Sequence, residues 1–243
     1  MSIRIPIAPR EWYHCFNRGI DKRKVFDSVS DYKRFLVLLY VCNSKNNIHV
    51  SDLKQWSHEE IFRDADLEKR RGDSLVEIGA YTLMKNHFHL LIREQEDGGI
   101  TTFMRKVMTG YTMYFNKKNN RIGTLFSGPF KSKHIDDDEY FQYVISYIHL
   151  NPTEHVAEHW KEGVGDIRKI AKFLNIYPYS SFTYFLSRCH LDKKGTANGG
   201  SGLIVPQAII SDAVFDAIET VPSMEEMLRG AQMYYQEQNQ NNA

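Results

Sequence analysis

The stretch VEIGAYTLMKNHFHLLIRE, residues 76–94, decides the reading of the fold. Two apolar runs flank Lys85-Asn86, a dipeptide suited to a tight connection, and the pattern predicts a β-hairpin. Side chains at i and i+2 of a strand share a face, so His87 and His89 project together while Phe88 turns to the other side. Two neighbouring neutral imidazoles are natural ligands for a divalent ion. The same tripeptide also describes a pair of hydrogen-bonded histidines on one strand face, because a His-x-His spacing is short and common.

Outward from the hairpin, WYHCFN (12–17) reads as an aromatic strand that ends in a turn at Arg18-Gly19. SDYKRFLVLLYVCN (30–43) has helical spacing with Ser30 as a candidate N-cap. The charged run within 51–73 reads as a solvated helix or an insertion. ITTFMRKVMTGYTMYFN (100–116) is an amphipathic helix despite Gly110. RIGTLFSGPFKSKHI (121–135) reads as loop plus short strand. Asp136 to Asp138 favour the start of a helix, EYFQYVISYIHL, that stops near Asn151-Pro152. Short helices and loops fill 153–190. The order of strands and helices implies an α+β fold, a mostly antiparallel sheet with helices packed on it. The composition divides the chain into a main domain (1–190), a Gly-rich linker (191–202, around KKGTANGGSG) and a C-terminal extension (203–243).

Charge is informative only in its distribution. Lys and Arg number 31 against 30 Asp and Glu, so the bulk balance neither favours nor excludes nucleic acid. Between Gly98 and Ile135 there is no acidic residue, yet Arg105, Lys106, Lys117, Lys118, Arg121, Lys131 and Lys133 all fall there. Such a local excess is a phosphate-binding footprint. Tyr111, Tyr114, Phe115, Phe126 and Phe130 interleave with it, as base-stacking platforms or as core. Three widely spaced cysteines form no metal pattern and fit a reducing compartment. No apolar run approaches the ~20 residues of a membrane span, and no long apolar leader opens the chain, so a cytoplasmic protein without a membrane partner is expected. The absence of a GxxxxGK[ST] loop argues against nucleotide-driven chemistry.

Tyr140, Tyr143 and Tyr147 recur at helical spacing, and Tyr147 shares a face with Asn151. A tyrosine suits attack on phosphate because a phenolate leaves more readily than a sugar alkoxide, which makes the covalent step reversible. Spacing alone does not choose among the three.

Five blocks taken together resemble a known family: FNRGIDKRKVF (16–26), YTLMKNHFHLLI (81–92), RIGTLFSGPFKSKHI (121–135), YVISYIHLNP (143–152) and YPYSSF (177–182). In this order they resemble the HUH single-tyrosine transposases, the insertion-sequence-200-like group, and within it the REP-associated tyrosine transposases. The resemblance implies a ferredoxin-like sheet carrying the histidine pair, here His87 and His89, and a nucleophilic tyrosine on a following helix. Counted back from Asn151-Pro152, that tyrosine is Tyr147, with Tyr143 second and Tyr140 third. Asn151 falls where the family has its third metal ligand, although some relatives carry Gln there. The resemblance further implies Mg²⁺ or Mn²⁺, single-stranded or hairpin DNA as partner, a 5′-phosphotyrosine intermediate and a freed 3′-hydroxyl. Asn17 and Arg18 join Arg105, Lys117, Lys118, Arg121, Lys131 and Lys133 as expected DNA contacts, with Lys131 and Lys133 foremost. A hairpin-binding protein without cleavage and an RNA-binding protein using the same groove are the competing readings; the active form is a monomer or a homodimer.

Overall fold

A computed structural model describes residues 7–53, 56–162, 166–194, 204–218 and 222–240. The elements run β1 (Trp12–Arg18), α1 (Val29–Cys42), α2 (His58–Arg63), α3 (Ala65–Arg71), β2 (Val76–Met84), β3 (His87–Glu94), α4 (Gly99–Lys118), β4 (Lys131–Ile135) and α5 (Asp138–Leu150). Then follow α6 (Ile167–Leu174), α7 (Phe182–Lys194), α8 (Ile204–Ile209), α9 (Ala213–Asp216) and α10 (Met224–Gln240). The four strands pair in the order β2-β3-β1-β4, every neighbour antiparallel. With α1 between β1 and β2 and α4 between β3 and β4, this is the expected ferredoxin-like α+β sheet.

The hairpin forms as read, with Lys85-Asn86 as its turn and Met84 opposite His87. Period-2 alternation then sorts side chains onto two faces. On one face Phe88 packs against Phe35 of α1 with the rings tilted, centroids 5.0 Å apart, and Phe35 meets Tyr111 of α4 edge-on at 5.1 Å. On the other, Trp12 of β1 meets Phe141 of α5 at 5.4 Å. The sheet is thus buried on both sides, α1 and α4 on one and α5 on the other.

Helix α1 begins at Val29 and is capped by Ser28, not by the expected Ser30. The cause is Asp31, whose carboxylate reaches back to accept the backbone N–H groups of Asp27 (3.0 Å) and Ser28 (2.9 Å). Burial alone pushes the Asp31 carboxyl up, but the Lys118 ammonium at 2.7 Å and these donors outweigh it and hold the group below the usual carboxylate range. The charged run in 51–73 is more than a solvated face. Ile61, Phe62 and Leu67 are buried, and Arg71 stacks on Tyr40 (3.9 Å to the ring) while donating to the carbonyls of Tyr40 and Asn43.

Helix α7 continues to Lys194; residues 195–203, most of the expected linker, lie outside the described residues. The extension returns to the sheet. Helix α10 packs along α5, burying Met227, Leu228, Ala231 and Tyr234. The two helices cross so closely that a Cβ on Gly230 would meet Tyr143 Cδ1 at 2.7 Å. Among the described residues no helix is long and apolar enough to cross a membrane.

Replacing Asp31→Ala removes the acceptor at the first turn of α1 and is expected to cost about 1–2 kcal/mol of stability. Because the Asp31 pKa is lowered on folding, that contribution is present above the unfolded carboxylate value and is lost as pH falls through the folded one. Urea denaturation of both proteins should therefore show a constant difference at neutral pH that narrows below about pH 4.

Candidate active site

Strand β3 and helix α5 bring the expected residues to one place. His87 and His89 point to the α5 side of the sheet with ring centroids 5.0 Å apart. Tyr147, in the last turn of α5, meets His89 edge-on at 5.5 Å, and both belong to the same chain. Asn151 follows one helical turn later, where Pro152 ends the helix and starts a 3₁₀ turn (Asn151–His155). Its amide lies against both His87 and Tyr147. Asn151 Nδ2 donates to the Tyr147 carbonyl at 2.9 Å, whereas Asn151 Oδ1 is buried without a hydrogen-bond donor among the described residues.

The other two tyrosines of the stripe are otherwise engaged. The Tyr143 hydroxyl bonds Glu139, which pushes its pKa up to about 12, and Tyr143 faces Gly230 of α10. Tyr140 packs against Tyr234, centroids 5.4 Å apart.

Electrostatics suit cation binding by neutral rings. Burial lowers the pKa of His87 to about 4, with Lys161 and Arg18 acting in the same direction and Glu154 opposing. Burial, reinforced by His14, His87 and Lys161, holds His89 well below its ordinary value. Both imidazoles are therefore unprotonated on one nitrogen at neutral pH, the state a metal requires. His87 Nδ1 lies 2.6 Å from Asn86 Oδ1, an acceptor, so the proton sits on Nδ1 and the Nε2 lone pair is free. Two neutral imidazoles and an orphaned amide oxygen make a donor set that fits a small divalent ion. Among the described residues no group of three or more His, Cys, Asp or Glu side chains is arranged to hold a metal, so the amide oxygen is needed to complete the set.

The structure also gathers residues that the sequence did not single out. Lys161 places its Nζ 5.4 Å from the Tyr147 ring and 5.1 Å from that of Tyr235, and it pairs with Glu154. Burial alone disfavours the Lys161 charge, but Tyr147 and Glu154 outweigh it and raise its pKa. Tyr147 is itself raised by burial, against the opposing pull of Lys161. Tyr147 is 9% exposed, covered by Tyr234 at 4.7 Å. His14, on the central strand, hydrogen-bonds His89. The alternation of WYHCFN places His14 on the same strand face as Phe16, and Phe16 pairs with His89 in the sheet. Nothing in the local sequence marks Lys161 or Tyr234.

The basic residues divide between the two faces. Phe16 pairs with Lys131 and His14 with Lys133, so both lysines stand on the histidine face. Lys133 Nζ lies over the rings of Tyr140 (5.1 Å) and Tyr234 (5.6 Å). Arg18, opposite His87 and exposed, shares that face. Arg105, Lys117 and Lys118 sit on α4, across the sheet from the histidines. Lys118 is bound to Asp31, and Lys106 donates to the carbonyls of Ser44 and Asn46. Arg121 hydrogen-bonds Asn116. Asn17 is buried on the α4 side and donates to the Gly128 carbonyl at 3.0 Å, pinning the loop that leads to β4. The interleaved aromatics are core: Tyr111, Phe115, Phe126 and Phe130 are buried, and Tyr114 bonds Asp31. The four buried rings cover the sheet and are closed to bases, while Tyr114 is half-buried with Arg34 over its ring.

The family described as "Transposase IS200 like" matches residues 28–151, just over half of the 243. That span includes His87, His89, Tyr147 and Asn151. No curated protein matches the chain. Among solved structures, one described as the REP-associated tyrosine transposase bound to a REP hairpin is similar, with 13% identity over 83% of this chain and 95% of the other and a TM-score of 0.48. By its match over residues 28–151, the chain belongs to the IS200-like transposase family.

Proposed function

We propose that this chain is a metal-dependent strand-transferase that cleaves and rejoins single-stranded DNA beside hairpins, with Tyr147 as nucleophile. The observation that carries the reading is the meeting of Tyr147 with His89 at 5.5 Å within one chain, with Asn151 against both Tyr147 and His87. The family match over the same residues supports it. Hairpin substrates follow from the sequence blocks that resemble REP-associated members.

In the proposed reaction Tyr147 Oη attacks a backbone phosphorus and the bond from phosphorus to the 3′ oxygen breaks. The phenol gives up its proton and the departing 3′ oxygen gains one, leaving a 3′-hydroxyl and a 5′-phosphotyrosine. Attack by a 3′-hydroxyl reverses the step and rejoins a strand, with no nucleotide consumed. His87 and His89, with Asn151 Oδ1, would hold Mg²⁺ or Mn²⁺. That ion supplies Lewis-acid polarisation of the phosphoryl oxygen when bound. Lys161 provides a fixed positive charge over the Tyr147 ring, which favours its phenolate, and Arg18 places a second one near His87. Lys131 and Lys133, on the same face, extend a path for the phosphate backbone.

A second reading, hairpin binding without cleavage, draws on the near-complete burial of Tyr147. End-labelled hairpin DNAs with single-stranded flanks, incubated with Mn²⁺, separate the two. Wild type should form a covalent protein–DNA adduct on a denaturing gel, whereas Tyr147→Phe and His87→Ala should form none. An adduct that persists in Tyr147→Phe moves the nucleophile to Tyr143 or Tyr140; its absence from wild type on every bound hairpin favours binding alone. Affinity should also fall steeply with salt, and Lys131→Ala with Lys133→Ala should flatten the log–log slope by about 1.4 through two lost phosphate contacts. An unchanged slope would remove these lysines from the DNA path.

A further inference from the structure

A chain of hydrogen bonds runs from the C-terminal helix into the histidine pair. Tyr234 Oη lies 2.5 Å from His14 Nδ1, and His14 Nε2 lies 2.8 Å from His89 Nδ1. Tyr234, His14 and His89 are 1%, 2% and 6% exposed, so water does not compete for these groups. A neutral imidazole donates from one nitrogen and accepts at the other, so the whole chain has one of two polarities. In one, each proton points away from His89, and His89 Nε2 keeps its lone pair. In the other, His89 Nε2 carries the proton and has no lone pair for a cation.

A cation on the histidine pair chooses between them, because only the first polarity, in which the Tyr234 oxygen accepts, leaves His89 Nε2 a lone pair. His14 Nδ1–H then donates to Tyr234, and His89 Nδ1–H donates to His14 Nε2. His87 has the same arrangement, its Nδ1–H held by Asn86. Both histidines of the pair thereby present Nε2.

We propose that Tyr234 and His14 are positioning residues that hold His89 as its Nδ1–H tautomer, with the Nε2 lone pair available to the divalent cation. Helix α10, outside the span matched by the family, is then a working part of the metal site. The inference rests on the metal-site reading given above.

Two measurements on the full chain test it. Long-range ¹H–¹⁵N spectra of the metal-free protein should show His89 protonated at Nδ1 in wild type and a mixture of tautomers in Tyr234→Phe, which keeps the ring against Tyr147. Titration with Mn²⁺, followed by loss of the free-ion paramagnetic resonance signal, should show about 10- to 100-fold weaker binding in Tyr234→Phe. His14→Leu should weaken it likewise, and His14→Gln, whose amide oxygen can accept from His89, should recover part of the loss. A wild-type His89 protonated at Nε2, or wild-type Mn²⁺ affinity in both Tyr234→Phe and His14→Leu, would overturn the proposal. His87→Ala separates the two levels: if it leaves Mn²⁺ affinity unchanged, the metal-site reading fails, and if it alone abolishes binding, the relay fails.

Discussion

Burying imidazoles and phenols against a β-sheet is costly wherever their polar atoms lack partners, because each orphaned group costs about 1–3 kcal/mol. That constraint organises this molecule. His87 and His89 lie under α5, which brings Tyr147 and Asn151 over them, and α10 covers Tyr147 in turn. His14, Tyr234 and Asn86 satisfy the inner nitrogens of the pair. Asn151 Oδ1, one of several buried polar atoms without a partner among the described residues, lies at the point where a cation would complete the set.

The same constraint explains why the extension returns to the sheet. A helix packed only on α5 would have no reason to bring a tyrosine hydroxyl through to the central strand. Gly230 allows α10 to approach α5 closely enough for Tyr234 to reach His14, and Lys161 enters beside it from the segment after the family-matched span. Tyr147, the two histidines, Asn151 and Lys161 thus come from separated parts of the chain, and the sheet holds them in register.

The fold was legible because alternation and helical periodicity are local signals. The hairpin around Lys85-Asn86, the amphipathic α4 and the acidic start of α5 each announce themselves within a few residues. His87 and His89 were visible for the same reason, whereas choosing Tyr147 over Tyr143 and Tyr140 needed the family's Asn-Pro reference point and then the packing of α5. The basic footprint was misleading as a single surface. Linear sequence does not reveal that the lysines of β4 point to the face of the sheet opposite α4, so Lys118, committed to Asp31, counted equally with Lys131. The interleaved aromatics misled similarly, because Phe126 and Phe130 sit in a loop that folds back into the core. His14, Lys161 and Tyr234 carry no local signature at all; only the tertiary fold brings them together.

The central claim is that His87, His89 and Asn151 form one cation site within reach of Tyr147. Anomalous diffraction from crystals of the chain grown with Mn²⁺ tests it most directly. The account predicts a single strong peak coordinated by His87 Nε2, His89 Nε2 and Asn151 Oδ1. A peak elsewhere, or saturating Mn²⁺ with no peak at these atoms, would contradict it.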